Sequence, residues 1–280
     1  MQLRAPAKIN LSLRILGQRA DGFHEIETVM APVSLYDQLD IELSGEVGQV
    51  ELQCDDPSLP LGDDNLVTKA ARLFFENTSM EFGVKIALKK NIPHGAGLGG
   101  GSSDAAAVLL ALNELLGAKI SKPELARLGA QLGSDVPFFM FCSPAICRGR
   151  GELIEPVVLP GSLQLLLLKP AFEIPTPWAY SRLKESRELP GFAYAPQEFS
   201  ALSFVNHLER PVYEKHVFLG RMKAWLLEQA EVGAAMLSGS GSTVFAVLHN
   251  SSDAEALAVR AKAELDPLLW IYACETLNGS

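Results

Sequence analysis

The sequence has few of the features that define several classes of protein. Only 4 of its 280 residues are cysteine, and no two of them form a C-x-x-C pair. Cys142 and Cys147 lie five residues apart, but no further cysteine pair or histidine cluster could complete a zinc site with them. We therefore expect reduced, buried thiols in a cytoplasmic protein. No apolar run approaches about 18 residues, so we expect no membrane-spanning helix. The opening residues contain no long apolar stretch or small-residue cleavage site, and we expect no secretory signal.

Positive charge is also scarce. The chain has 24 basic and 33 acidic residues, a formal net charge of −9. Nucleic-acid-binding proteins need a basic surface, so the composition argues against a nucleic-acid partner. The chain is 48% hydrophobic and 20% charged, which is typical of a globular protein with a large core. Its length allows one large domain or two moderate ones.

Hydrophobic periodicity divides the chain into two blocks, each with strands and helices. The first block has predicted strands at residues 9–15, 26–30, 40–43, 50–52 and 84–88 and predicted helices at 65–76, 104–116 and 122–132. The second has predicted strands at 165–168, 235–237, 243–248 and 270–273 and predicted helices at 221–230 and 253–265. The pattern weakens over residues 156–161. We therefore predict an α+β fold in two domains, 1–159 and 160–280.

The most unusual segment is the glycine-rich run at residues 93–103, PHGAGLGGGSS, between a predicted strand and a predicted helix. Glycines let backbone amides approach an anion, and the helix N-terminus adds unpaired donors and a positive partial charge. Ser102 and Ser103 can cap the helix or donate hydroxyls. The segment predicts a phosphate-binding loop, with a flexible turn and serine cap as the alternative. The next residue, Asp104, either anchors the helix start or helps to hold a metal.

The loop does not match three common nucleotide-binding signatures: the dinucleotide fingerprint, the P-loop and the protein kinase motifs. Gly95, Gly97 and Gly100 fit the dinucleotide fingerprint G-x-G-x-x-G, but that motif needs an acidic residue after a following strand about 20 residues on. Here residues 119–128 have helical spacing. The sequence also has no G-x-x-x-x-G-K-[ST] motif and none of the H-R-D and D-F-G pieces of a protein kinase.

Two charged residues are candidates for chemistry. In the first predicted strand, the two-residue period places Lys8 and Asn10 on one face, where a cation and an amide can orient a polar substrate. The alternative is a solvated lysine on an edge strand. Asp135, in the segment GSDVP, is either a helix N-cap or a group that accepts a hydroxyl proton during phosphoryl transfer. The sequence leaves both alternatives open.

Two aromatic clusters are candidates for binding a planar base. Phe23 and His24 follow a predicted turn, where the ring can stack and the imidazole can hydrogen-bond. Trp178 and Tyr180 form the second cluster, whose alternative role is packing at a domain junction. His24 can equally be an ordinary loop histidine.

Together these motifs resemble the GHMP kinases, a superfamily named for galactokinase, homoserine kinase, mevalonate kinase and phosphomevalonate kinase. Residues 93–103 resemble its phosphate-binding motif, while APAKINL at 5–11 and LSGSGST at 237–243 are similar to its first and third motifs. Within the superfamily, DGFHE at 21–25, GSDVPFF at 133–139 and RGRGE at 148–152 look like the members that act on a cytidine diphosphate-linked methylerythritol. The resemblance implies a two-domain fold with the active site in the cleft between the domains.

The resemblance also implies an activity and a set of site residues. The implied reaction is ATP-dependent phosphorylation of the acceptor's 2-hydroxyl in non-mevalonate isoprenoid biosynthesis, with Mg²⁺, in the cytoplasm. Lys8 would polarise the hydroxyl and Asp135 would act as base, while Asn10, Phe23, His24 and Tyr180 would bind the acceptor. The implied nucleotide-binding residues are Asn65, Pro93, His94, Gly95, Ala96, Gly97, Leu98, Gly99, Gly100, Gly101, Ser102 and Ser103. Residues 1–159 would bind ATP and carry the catalytic pair, and residues 160–280 would contribute to substrate binding.

Three alternatives remain beside this interpretation. The first is another GHMP kinase, acting on homoserine or a mevalonate, against which the Phe23–His24 cluster argues. The second is a nicotinamide oxidoreductase, and the third is a catalytically silent nucleotide-binding protein. The presence of both Lys8 and Asp135 argues against the third. We expect a small-molecule substrate and neither a nucleic-acid nor a membrane partner.

Overall fold

The computed structural model of the protein describes residues 1–78 and 82–278. Within these ranges the chain forms twelve strands and eight α-helices. The strands are β1 (Gln2–Gln18), β2 (His24–Ser44), β3 (Val50–Cys54), β4 (Gly83–Lys89), β5 (Ala145–Gly149), β6 (Leu153–Pro156), β7 (Gln164–Lys169), β8 (Gln197–Phe199), β9 (Leu202–Asn206), β10 (Val232–Leu237), β11 (Val244–Leu248) and β12 (Trp270–Glu275). The helices are α1 (Leu66–Thr78), α2 (Gly100–Leu115), α3 (Lys122–Gly129), α4 (Val136–Phe141), α5 (Thr176–Ser181), α6 (Glu209–Lys215), α7 (Val217–Leu227) and α8 (Ala254–Glu264).

The first sheet is built around the long antiparallel pair β1 and β2, whose register runs from Gln2 opposite Asp40 to Gln18 opposite His24. Residues 38–44 of β2 also pair with β4, and residues 26–30 pair with β5. β3 joins β4 in parallel, β9 joins β1 in parallel, and β6 and β8 pair with β5 and β9. Because β1 pairs with β2 along almost its whole length, this pair connects the two ends of the sheet.

The second sheet has the order β10-β11-β7-β12, with all neighbours antiparallel. It shares a core with the first sheet, in which Ile9 and Leu11 of β1 meet Leu167, Met236 and Phe245. Helices α1, α2 and α4 pack in the core of the first sheet, and α6, α7 and α8 pack in the core of the second. The mixture of helices and sheets confirms the predicted α+β class.

Strand β1 differs from the half-buried strand that its alternation predicts, because every residue from Ala5 to Leu13 is buried. The apolar residues Ile9 and Leu11 pack in the core between the two sheets. The polar residues Lys8 and Asn10, on the opposite face, line a cavity rather than open solvent. Alternation therefore marked the two faces of the strand correctly but not their environments.

Two boundaries also differ from the sequence prediction. Residues 26–30 and 40–43, predicted as separate strands, both belong to β2, which continues through the apolar residues between them. Helix α2 begins at Gly100 rather than at Asp104. Positive φ angles end at Gly99, and the following glycines and serines have helical geometry, so residues 100–103 form the first turn of the helix.

The sequence predicted buried thiols and no membrane-spanning helix, and the structure can be compared with both expectations. All four cysteines are free, but only Cys147 is buried, while Cys54, Cys142 and Cys274 are half-buried. Within the described ranges, no helix is both long and apolar enough to cross a membrane. The division into domains 1–159 and 160–280 stays a prediction.

Candidate active site

A cavity of about 770 Å³ is lined by residues from both halves of the chain. The first half contributes Lys8 on β1, the beginning of β2, the loop between β4 and α2, and the segment before α4. The second half contributes α5 and the loop between β10 and β11. The cavity therefore collects the three glycine- and lysine-containing motifs that lie far apart in the sequence.

A buried polar network extends along β1 into the cavity. Lys8 Nζ donates to Asn10 Oδ1 at 2.7 Å, and Asn10 Nδ2 donates to Thr28 Oγ1 at 2.8 Å on the neighbouring strand. Thr28 in turn donates to the carbonyl of Ser12. The Lys8 side chain is only 5% exposed, and its bond to Asn10 orients the buried ammonium.

The carboxylate of Asp135 completes this arrangement, with its Oδ2 3.4 Å from Lys8 Nζ. Asp135 occupies the N-cap position of α4, yet its side chain makes no capping hydrogen bond within the described residues. Its side chain is 35% exposed and lines the cavity. The carboxylate therefore faces the cavity, where a bound hydroxyl can reach it.

The carbonyl groups of the glycine-rich loop accept hydrogen bonds from neighbouring segments of the protein. Ala96 O accepts from Thr243 N, Gly97 O from Ser238 Oγ, and Leu98 O from Lys8 N. In a trans peptide the next amide N–H points opposite to the carbonyl. The N–H groups of residues 97–99 are thus turned away from these partners. Gly97 and Gly99 themselves line the cavity.

Two of these glycines are required by both conformation and space. Gly97 has φ +75°, and a Cβ there would lie 2.2 Å from Ser238 O. Gly99 has φ +71°, and its Cβ would lie 2.9 Å from Phe139 Cζ and 3.0 Å from Lys8 Cγ. Any side chain at either position would strain the backbone and push the loop off its neighbours.

Most of the predicted nucleotide-binding residues line the cavity, but Leu98 and Ser103 do not. Both are buried, and their backbone groups serve the fold: Leu98 O accepts from Lys8, and Ser103 N donates to Gly99 O. Asn65 lies on the cavity wall, where its side chain donates to Pro60 O and accepts from Val67 N. Its amide is therefore committed to shaping this wall.

The predicted acceptor-binding aromatics also meet at the cavity. The rings of His24 and Tyr180 lie 5.2 Å apart between centroids, inclined by 32°. Phe23 is about half exposed, and the Arg150 guanidinium lies 4.7 Å from its ring centroid. Burial raises the pKa of the Tyr180 hydroxyl above its ordinary value, so this group stays protonated and can donate a hydrogen bond.

Several cavity residues were missed by the sequence analysis. Arg150 belongs to the RGRGE motif, but nothing local indicates that it would lie over Phe23. Thr176 and Ser240 bring their hydroxyls to 2.8 Å from each other across the cavity wall. Lys90 lies at the beginning of the phosphate loop. Its two partners, Asp37 and Asp104, are distant in sequence from each other.

The donor set fits a nucleotide triphosphate better than a resident metal. Turned-out amides and the N-terminus of α2 are the groups that bind phosphate oxygens. The described residues contain no cluster of three or more His, Cys, Asp or Glu side chains that could hold a metal ion. A Mg²⁺ ion at this site would therefore take most of its ligands from phosphates and water, which is its usual mode of binding.

Comparison with known proteins identifies the domains and the fold that form this cavity. The model of the GHMP kinases N terminal domain matches residues 65–143, and that of the GHMP kinases C terminal matches residues 161–266. A crystal structure of 4-(cytidine 5'-diphospho)-2C-methyl-D-erythritol kinase superposes with a TM-score of 0.81 at 34% identity, covering 100% of both chains. A homoserine kinase from Cytophaga hutchinsonii has a TM-score of 0.73 at 19% identity, which shows a shared fold alone. The chain has the fold of a GHMP kinase.

Sequence relatives narrow this class. The 4-diphosphocytidyl-2-C-methyl-D-erythritol kinase of Methylacidiphilum infernorum (isolate V4) is 42% identical over 277 residues, covering 98% of this chain and 96% of the relative. That of Syntrophotalea carbinolica is 40% identical over 259 residues, covering 91% of each. This chain belongs to the family of 4-diphosphocytidyl-2-C-methyl-D-erythritol kinases. It is an ATP-dependent small-molecule kinase of isoprenoid biosynthesis, and the other interpretations are not favoured.

Proposed function

We propose that the protein transfers the γ-phosphoryl group of ATP to the 2-hydroxyl of 4-diphosphocytidyl-2-C-methyl-D-erythritol. The observation that carries the proposal is the pairing of Lys8 with Asp135, 3.4 Å apart, in the same cavity as the glycine-rich loop. Phosphoryl transfer needs little covalent chemistry from the protein. Its barrier is lowered mainly by positioning the two substrates and stabilising charge.

The nucleotide half of the cavity runs from the Asn65 wall to the beginning of α2. There the amides of residues 95–102 would hold the phosphate oxygens, with the helix N-terminus contributing further donors. Mg²⁺ bound to these phosphates would neutralise part of their charge. The apolar residues Leu66, Leu88 and Ile92 also line the cavity and would offer a surface for the purine ring.

The catalytic pair would act on the acceptor hydroxyl. Asp135 takes the hydroxyl proton as the oxygen forms its bond to the γ-phosphorus and the bond to the β-bridging oxygen breaks, releasing ADP. The Lys8 ammonium stabilises the negative charge on the attacking oxygen and on the transferred group. Asn10 holds that ammonium in place through its 2.7 Å hydrogen bond. The proton then leaves Asp135 for water.

The far end of the cavity would bind the cytidine portion of the acceptor. Phe23, backed by Arg150, supplies a stacking surface, and His24 and Tyr180 supply a second ring surface with hydrogen-bonding groups. This cluster favours a nucleotide-linked acceptor over homoserine or mevalonate, which have no planar ring to stack. We further propose that the enzyme works in the cytoplasm, without nucleic-acid or membrane partners.

An acceptor-dependent assay tests the proposal. ADP release is measured with ATP and 4-diphosphocytidyl-2-C-methyl-D-erythritol, homoserine or mevalonate, using the wild type and Lys8→Ala. We expect turnover with the cytidine-linked acceptor alone, loss of most of it in Lys8→Ala, and phosphate on the 2-hydroxyl by phosphorus NMR. Equal turnover with homoserine or mevalonate, or full activity of Lys8→Ala, would overturn it.

A further inference from the structure

Lys90 is a buried cation directly before the phosphate-binding loop. It follows the last residue of β4, and its Nζ donates to Asp104 Oδ2 at 2.8 Å and to Asp37 Oδ2. The side chains of Lys90, Asp37 and Asp104 are only 8%, 0% and 2% exposed. Three ionisable groups are therefore buried together at one end of the cavity that we assign to ATP.

The bond from Lys90 to Asp104 joins the two ends of the loop. Lys90 lies at its entry and Asp104 in the first part of α2, 14 residues further along the chain. The residues between them include the five glycines of the 93–103 segment. One ammonium thus fixes the separation between the strand before the loop and the helix after it.

Asp37 ties the same two ends to the sheet. Its Oδ1 accepts from Asn91 N at 2.6 Å and from Ile92 N at 2.9 Å, which holds the entry backbone. A Cβ on Gly100 would lie 3.3 Å from Asp37 Oδ2, so the first residue of α2 packs closely against the same carboxylate. Asp37 belongs to β2, the central strand, and gives the loop a rigid support.

A lysine beside a glycine-rich loop would ordinarily be taken for a phosphate ligand, as in P-loop proteins. In this structure the Lys90 ammonium is bonded to protein carboxylates and not directed at the phosphate site. Its Nζ is shared between two carboxylates, which more than neutralise its charge, and its side chain is nearly inaccessible. Phosphate binding is left to the amides, which depend on the shape of the loop.

We propose that Lys90, held between Asp37 and Asp104, is a positioning residue that keeps the phosphate-binding loop in its ATP-binding shape before the nucleotide arrives. The inference rests on the proposed function, since it concerns the ATP half of that site. Glycine-rich segments lose much conformational freedom when they become ordered. A loop already tied at both ends needs less ordering when ATP binds, and this raises affinity.

Stability alone does not account for the cluster. Buried ion pairs are often no more stabilising than well-packed apolar residues, because removing charges from water offsets their attraction. A fixed geometry is what one ammonium bonded to two carboxylates supplies and apolar side chains do not. The expected signature is therefore a selective loss of nucleotide affinity rather than a general loss of activity.

The test uses Lys90→Met, Asp104→Asn and the double variant in the full-length enzyme. Binding of a non-hydrolysable ATP analogue is measured by calorimetry without acceptor, followed by kcat and both KM values with ATP and 4-diphosphocytidyl-2-C-methyl-D-erythritol. Leu257→Ala, a truncation in the core under α8, is the control for general destabilisation. Asp104→Asn keeps the side-chain volume and leaves Lys90 bonded to Asp37, so it remains usable if the variants that lack Lys90 fail to fold.

We expect the dissociation constant and the KM for ATP to rise by about tenfold in Lys90→Met, with kcat at saturating ATP within about threefold of wild type. The double variant should bind about as weakly as Lys90→Met, since the pair acts as one unit. The acceptor KM should not move, and Leu257→Ala should change neither KM. Unchanged ATP affinity in folded variants, or equal rises in both KM values, would overturn the inference.

Failure of the inference can be told apart from failure of the proposed function. If the wild type binds the ATP analogue and phosphorylates the acceptor while all variants bind equally well, only the positioning role is wrong. If the wild type binds no ATP analogue, the assignment of the cavity itself is wrong, and the positioning role falls with it.

Discussion

Lys8 and Asp135 lie 3.4 Å apart although one is on β1 and the other precedes α4. Both residues line the cavity. Lys8 is oriented by Asn10, and the Asp135 carboxylate makes no capping bond within the described part of the chain. This pair defines where the acceptor hydroxyl must sit if the proposed reaction is correct.

The first prediction concerns Asp135. Asp135→Asn keeps the shape of the side chain but removes its ability to accept a proton, so we expect kcat to fall by roughly 10²–10⁴. Binding of the ATP analogue should persist, because the amides of the loop are unchanged. Steady-state kinetics and calorimetry check both statements. Turnover close to that of the wild type would rule out Asp135 as the base.

The second prediction concerns Phe23. Phe23→Leu removes the stacking ring but keeps an apolar side chain, and base–aromatic stacking contributes about 1–3 kcal/mol. We expect the acceptor KM to rise by about tenfold, with the KM for ATP unchanged. Phe23→Tyr is the matched control and should resemble the wild type. An unchanged acceptor KM in Phe23→Leu would place the cytosine elsewhere.

The third prediction concerns the fit of the glycine loop against the loop between β10 and β11. Gly97→Ala would place a Cβ 2.2 Å from Ser238 O at a φ of +75°, which the backbone must relieve by moving. We expect loss of ATP-analogue binding and a lower melting temperature. Gly161→Ala is the control, since a Cβ there meets nothing within 4 Å.

A normal ATP affinity in Gly97→Ala would show that contact between the two loops is not needed for nucleotide binding. A loss of affinity in Gly161→Ala would show that the measurement responds to any added methyl group. Calorimetry with the ATP analogue and thermal unfolding of both variants separate these results.

The sequence allowed part of this site to be predicted, and the division has a physical basis. Lys8 and Asn10 were placed together because strand periodicity is local and regular. The loop at residues 93–103 was assigned because many glycines before a helix have a direct chemical meaning. Burial of Lys8 was not predicted, because the cavity that encloses it is formed by distant segments.

The cluster around Lys90 shows the limit of such prediction. Lys90 and Asp37 are 53 residues apart and lie at neighbouring points of the sheet only because β2 pairs with β4. Asp104 was singled out as a helix anchor or metal ligand. In the structure its carboxylate accepts from Lys90 Nζ, a partner that the sequence did not indicate. Three-dimensional partners of this kind have no signature in a single sequence.

The fourth prediction concerns a second buried ion pair, between Lys223 of α7 and Glu209 of α6. Their side chains are 3% and 1% exposed, and Glu209 also accepts from Leu237 N and Tyr213 OH. Lys223→Met leaves a carboxylate buried without its cation, and we expect a loss of about 3–5 kcal/mol in unfolding free energy. Because Leu237 directly precedes the 238–242 loop, activity should fall as well.

Urea denaturation measures this loss. Arg182→Met is the control, since its ion pair with Glu185 is exposed and contributes at most about 1 kcal/mol. Equal stability losses in the two variants would mean that burial of the Lys223–Glu209 pair has no special consequence.

The fifth prediction concerns the pH dependence of stability set by Asp104. Burial raises the pKa of Asp104 from 3.8 to about 7, opposed by the nearby Lys90 ammonium. Burial lowers the pKa of Lys90, but the carboxylates of Asp104 and Asp37 outweigh this and raise it above its ordinary value, so Lys90 keeps its charge while Asp104 titrates. The folded protein thus binds the Asp104 proton more tightly than the unfolded chain does.

A raised folded-state pKa gives stability that is complete below the unfolded value and is lost as pH rises through the folded one. Relative to Asp104→Asn, whose side chain does not titrate, the wild type should therefore lose stability between about pH 4 and pH 7. Each unit of pKa difference corresponds to about 1.4 kcal/mol, so urea denaturation of both proteins across this range resolves the effect. A constant difference between them would show that the buried carboxyl is ionised throughout, with Lys90 fully compensating its burial.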